Sequence, residues 1–78
     1  MWAIRYSDEV KYYFLDNGDL VFDLLFKIEE LRLTLEGIPP EGTTQLEPNF
    51  FAWEILRHVV IYERQDKVLV IEVVKPKE

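Results

Sequence analysis

Large and small side chains alternate at the start of the chain. Trp2, Ile4 and Tyr6 share one side, with Ala3 and Arg5 on the other, and this period of two predicts a short first strand. Ser7 follows as a helix cap, and Asp8 and Glu9 set negative charge against the positive end of the helix dipole. Val10, Tyr13 and Phe14 fall at i, i+3 and i+4 and give a first helix one apolar face. Asn17-Gly18 predicts its end, because Gly accepts the left-handed conformation that closes many helices, and Asp19 caps the next one. From Leu20 to Glu36 the helical period is strongest. At about 100° per residue, Leu20, Val21, Leu24, Leu25, Ile28, Leu31 and Leu35 occupy one broad sector. Phe22, Phe26 and Leu33 form a second, narrower stripe, with Asp23, Lys27, Glu30 and Thr34 between the two on one flank. The broad sector is fitted to cover a sheet. The narrow one needs another cover, either the first helix or a partner. Gly37 and Pro39-Pro40 predict the end of this second helix.

Glu41 to Asn49 is polar and reads as a loop, with a short strand near Thr44 to Leu46. Phe50 to Arg64 is rich in β-branched and aromatic residues. Trp53, Ile55, Val59 and Ile61 share one parity, and Ala52, Glu54, His58 and Tyr62 the other. So long a run predicts two strands, or one bent near Leu56 to His58. Gln65-Asp66 supplies a hairpin turn. Val68 to Val74 is the last strand, with Leu69, Ile71 and Val73 on one face, and Pro76 stops it. The expected architecture is α+β: a leading strand at a sheet edge, a two-helix hairpin, then an antiparallel β-meander with both helices packed on one face.

Composition narrows the chemistry. The chain has 78 residues, one His, no Cys and a formal net charge of −6. That length predicts a single domain over residues 1–78. Lack of Cys excludes disulfide scaffolds, thiolate catalysis and Cys-ligated zinc. Residues 1–49 hold ten acids and four bases, and residues 50–78 hold five of each, so the acid excess lies entirely in the helical part. Such a balance argues against general nucleic-acid binding. The aromatic clusters Tyr12-Tyr13-Phe14 and Phe50-Phe51 have one base between them, Lys11, and read as packing rather than base-stacking residues. No phosphate-cradling Gly-rich loop or His-x-x-x-His spacing is present, so neither a cofactor nor a metal is expected. No signal-like or membrane-length apolar run occurs, and a cytoplasmic location without membrane contact is the expectation.

The opening Trp2-Ala3-Ile4-Arg5-Tyr6-Ser7 and the paired closing segments Val59-Val60-Ile61-Tyr62-Glu63 and Lys67-Val68-Leu69-Val70-Ile71-Glu72-Val73-Val74-Lys75 resemble the RelE/ParE toxin superfamily. The resemblance implies a leading strand, a helix hairpin and a strand meander. It also implies one of two activities. RelE-type members cleave messenger RNA in the ribosome with Lys and Arg side chains and a late Tyr, and ParE-type members act on DNA gyrase. Both are held inactive by antitoxin segments laid along the domain. This chain departs from the nuclease pattern. Val59 stands where an Arg commonly precedes the strand Tyr, here Tyr62, and Glu54 is negative where a base is expected. The late Tyr segment has no counterpart before Glu78.

Three functional expectations follow. The first is a RelE/ParE-like protein with a degenerate nuclease site, acting through contact with an antitoxin-like or target protein. The second is an active ribosome-dependent ribonuclease using Arg57, His58 and Lys75 as catalytic residues, with nucleic acid met only through the ribosome. The third is an unrelated acidic module that forms a homodimer through Phe22, Phe26 and Leu33.

Overall fold

Ser7 fixes the first boundary. In the computed structural model, which describes residues 1–78, it is extended, with φ −64° and ψ 161°, and its Oγ accepts from the Val10 N–H at 3.2 Å. Strand β1 (Ala3–Tyr6) ends there and helix α1 (Asp8–Glu29) begins. The Ser7 hydroxyl donates to the Glu72 carbonyl at 2.9 Å, and its N–H donates to the Ile71 carbonyl at 2.9 Å. One residue thus caps the helix and ties it to the last strand.

The expected two-helix hairpin does not form. Helix α1 runs through Asn17-Gly18 as one element with a kink. Asn17 takes φ −123° and ψ 20°, outside the helical region, and its Nδ2 donates to the Tyr13 carbonyl at 2.9 Å, so the chain kinks there without leaving the helical element. Gly18 has no positive φ and is not a left-handed cap. The Asn17 side chain takes up the Tyr13 carbonyl, and Gly18 continues the helix instead of capping it; Val10 before the kink and Val21, Leu24 and Ile28 after it are all buried on the same sheet face. The helix also stops earlier than expected. It tightens into a 3-10 turn, Glu30–Leu33, and Thr34 is already extended with its Oγ donating to the Leu31 carbonyl at 2.7 Å. Leu35, expected on the core face, is therefore outside the helix and exposed; Leu20, at the edge of the sector, is exposed as well.

Four strands follow: β2 (Thr43–Glu47), β3 (Phe50–Ile55), β4 (His58–Gln65) and β5 (Val68–Pro76). The sheet order is β1-β5-β4-β3-β2. β2 to β5 form the antiparallel meander, but β1 runs parallel to β5, so the sheet is mixed. Leu56 and Arg57, at φ 49° and 63°, make the two-residue turn between β3 and β4. Paired φ values of this sign match the right-handed twist of the flanking strands. The turn resets the side-chain parity, so Phe51 and Trp53 point to the core from β3, and Val60 and Tyr62 from β4.

A second shift occurs in β5. Ile61 pairs with Val73 but Tyr62 pairs with Ile71, which leaves Glu72 as a bulge. Beyond it the inward position passes from Val73, as alternation predicts, to Val74, which is buried. Pro76 lies inside the strand, opposite His58 at its end, and does not stop it at Val74.

One face of the sheet carries the core. Val10, Val21, Leu24, Ile28 and Leu31 pack on Ile4, Phe51, Trp53, Val60, Tyr62, Leu69, Ile71 and Val74. The Phe51 and Tyr62 rings stack with centroids 5.3 Å apart. Burial pushes the Tyr62 phenol up to about 12, and its hydroxyl donates to the Gly37 carbonyl at 2.8 Å. That bond holds the 34–42 segment over β3 and β4. Gly37 sits at φ 71°, and a Cβ there would lie 2.9 Å from Leu69 Cδ2, so neither the conformation nor the space admits a side chain.

Gly18→Ala tests the continuous helix. Nothing lies within 4 Å of the added methyl, and the position is helical. The substitution is expected to raise stability by about 0.5–1 kcal/mol in chemical denaturation. A loss of similar size would indicate a left-handed cap at this position.

Candidate functional site

The strand register brings Arg57, His58 and Lys75 to one end of the sheet. Arg57 is at the β3–β4 turn, and its carbonyl accepts from the Lys77 N–H at 2.8 Å. His58 is opposite Pro76, and Val59 is opposite Lys75. The two faces of the sheet then separate them. His58 shares the parity of Val60 and Tyr62 and reaches α1, where Nε2 lies 2.8 Å from the Tyr13 hydroxyl. Its Nδ1 lies 2.8 Å from the Leu56 carbonyl. A carbonyl only accepts, so Nδ1 carries the proton and the Tyr13 hydroxyl donates to Nε2. Lys75 follows buried Val74 and projects from the opposite face, while Arg57 remains at the exposed tip. Both nitrogens of His58 are engaged within the fold. The three side chains do not converge on one point where charge on a phosphate would develop.

A different cluster assembles at the other end of α1. Glu29 accepts from Arg32 Nε at 2.6 Å through one oxygen and from the Tyr6 hydroxyl through the other. Burial works against the Glu29 charge, but the hydrogen bonds from Arg32 and Tyr6 and the guanidinium charge outweigh it and hold the carboxyl below its usual range. Burial, then the Glu29 hydrogen bond and charge, drive the Tyr6 phenol well above its ordinary value. The backbone continues the connection. Trp2 N–H donates to the Arg32 carbonyl at 3.0 Å, and the Trp2 indole donates to the Thr34 carbonyl at 3.1 Å. The i,i+3 spacing of Glu29 and Arg32 was legible in the sequence; the Tyr6 partner, 23 residues away, carried no local signal. The cluster joins β1 to the end of α1, and its polar atoms are spent on one another. No group of three or more His, Asp or Glu side chains gathers in a metal-ligating arrangement.

The third feature is apolar. Phe22 and Phe26 on α1 and Leu33 at the end of the 3-10 turn face away from the core and are 63%, 63% and 78% exposed. The Phe22 and Phe26 rings are 6.3 Å apart and inclined at 48°. With Leu25, Glu29 and Glu30 they line a shallow groove of ≈ 330 Å³. Leu15, before the kink, is exposed as well. Between Asp8 and Leu33 there are seven acids and three bases, so the groove lies in a negative field. The narrow stripe seen in the sequence is real, and no second helix covers it.

Comparison with protein-family models, curated proteins and solved structures finds no match. No helix is long and apolar enough to cross a membrane.

Two outcomes are expected. Because folding lowers the Glu29 pKa, its contribution to stability is complete above the unfolded value, about 4.3, and is lost as pH falls through the folded value. The Tm of the parent chain should therefore drop more steeply than that of Glu29→Gln between about pH 5 and pH 3. A double-mutant cycle of Tyr13→Phe and His58→Ala should give a coupling of about 1 kcal/mol in chemical denaturation, the worth of one hydrogen bond.

Proposed function

We propose that this chain is a cytoplasmic protein-contact domain of RelE/ParE-like layout, acting in a toxin–antitoxin-like setting by binding a partner along the outer stripe of α1. The observation that carries the reading is the exposure of Phe22, Phe26 and Leu33 on one unpaired helix face. Full burial of such a side chain is worth about 1.5–3 kcal/mol, so three neighbours supply a strong local incentive for cover. The flanking acids select what provides it. A segment with an apolar face and Lys or Arg along its sides meets Asp19, Asp23 and Glu30 favourably. A second copy of α1 would set acid against acid on the same stripe. The leading strand and the closing strand meander are what this reading takes from the resemblance; the two-helix hairpin of that layout is not present.

The test is co-expression with the product of the reading frame next to this gene. A stable complex is expected, abolished by Phe26→Asp and retained by the Arg57→Ala, Lys75→Ala pair. Growth arrest relieved by the basic pair but unaffected by Phe26→Asp would overturn the reading in favour of ribosome-dependent RNA cleavage.

A further inference from the structure

Asn17-Gly18 does not end the helix, but the pair keeps a chemistry of its own. The side-chain carbonyl carbon of an Asn and the backbone nitrogen of the next residue are placed to close a five-membered imide ring. The next residue decides how freely that nitrogen approaches. Gly18 has no Cβ, reaches a wide range of φ and ψ, and has nothing within 4 Å of the place a Cβ would take. A regular helix closes this route, because each N–H is held on the carbonyl four residues back and ψ is fixed at about −42°. Asn17 stands outside that regularity, at φ −123° and ψ 20°. It is half-buried, while Asp16, Gly18 and Asp19 are exposed, so its ψ can turn without opening the core. The 2.9 Å bond from its Nδ2 to the Tyr13 carbonyl is what holds it.

We propose that Asn17 is a self-modification site, at which the folded chain converts its own side-chain amide to a carboxylate with water as the sole co-reactant. The Gly18 nitrogen gives up its proton and bonds to Asn17 Cγ. The Cγ–Nδ2 bond breaks, and ammonia leaves with the proton. Water then opens the ring, at Cγ to give an aspartyl residue or at the main-chain carbonyl to give an isoaspartyl one. Either product lacks the Nδ2–H donor, so it sets an acceptor against the Tyr13 carbonyl. Either also adds a negative charge between Asp16 and Asp19. The isoaspartyl form lengthens the main chain by a methylene at the kink. Tyr13 is the residue whose hydroxyl donates to His58. Modification therefore loosens the kink between the two helical parts and, through Tyr13, the tie of the first part to β4. The change accumulates with the age of the chain and needs no enzyme.

Peptide mapping by mass spectrometry tests this on the purified full chain, aged in heavy-oxygen water at mildly alkaline pH. Heavy oxygen should enter at Asn17, and the folded chain should react within about 10-fold of its rate in denaturant, where the kink imposes no restraint. Asn49 is the internal control. It precedes Phe50, whose side chain and place in the β3–β4 ladder hinder the same attack, and it should react at least about 10-fold more slowly. Gly18→Ala should slow the reaction at Asn17 by about 10-fold or more, with circular dichroism showing that the variant is folded. Asn17→Asp should lower the Tm of the fresh chain, because it removes the tie to Tyr13. Protection by more than about 10-fold on folding, equal rates at Asn17 and Asn49, or a Gly18→Ala chain that reacts as fast as the parent overturns the proposal. An unchanged Tm in Asn17→Asp overturns the loosening of the kink.

Discussion

One helix cannot cover five strands. An α-helix with its side chains is about 10–12 Å wide, while five strands span roughly 20 Å between outer axes. Helix α1 buries Val10, Val21, Leu24 and Ile28, the 3-10 turn adds Leu31, and Tyr13 and Phe14 pack partly against them; that is the apolar cover the helical region provides. The rest of the inward face is closed by other means. Trp2 and the 34–42 segment are brought over it, and the Tyr62 hydroxyl holds the Gly37 carbonyl in place. The strict requirement for Gly at position 37, the half-buried indole of Trp2 and the Arg64 guanidinium 5.2 Å above the Phe51 ring all follow from this shortage of helix.

The same constraint explains where the polar clusters fall. Tyr6, directly before the Ser7 cap, meets Glu29 and Arg32 at the other end of the helical region, and Tyr13 meets His58 at the start of β4. The first ties the two ends of the helical region together, and the second ties its part before the kink to β4. Their hydrogen bonds are internal, which accounts for their perturbed or fully engaged groups without any catalytic task. Outside these clusters, the outer stripe of α1 leaves Phe22 and Phe26 exposed, and the outer face of the sheet mixes valines and Ile61 with Glu54, Glu63 and Lys75.

Much of the fold could be read from the residues. The Ser7 cap, the strand near Thr44, the division of the 50–64 run and the turn near Asp66 all lie where local chemistry puts them. The helix hairpin misled because Asn17-Gly18-Asp19 presents stop and start signals together, whereas in the fold Asn17 makes a kink and Gly18 continues the helix instead of capping it. Val73 and Val74 exchange faces because a bulge at Glu72 leaves no trace in a run of β-branched residues. Arg57, His58 and Lys75 are grouped by register but divided by the sheet plane, a distinction that only the parity on each side of the Leu56-Arg57 turn reveals. The Phe22, Phe26 and Leu33 stripe was legible because it depends on helical period alone.

The parallel pairing of β1 with β5 has a kinetic side. Ala3 to Tyr6 find their only sheet neighbour in Val68 to Ile71, at the far end of the described chain. The Ser7 N–H and hydroxyl wait for the same strand. During synthesis α1 and the first hairpin can form before β5 has emerged, but β1 finds its partner only afterwards. Until β5 emerges, Ile4 and the inward edge of β4 stay open to solvent. The nascent chain therefore passes through a stage in which β1 is an unsatisfied edge, and closure of the sheet waits on its most sequence-distant pairing.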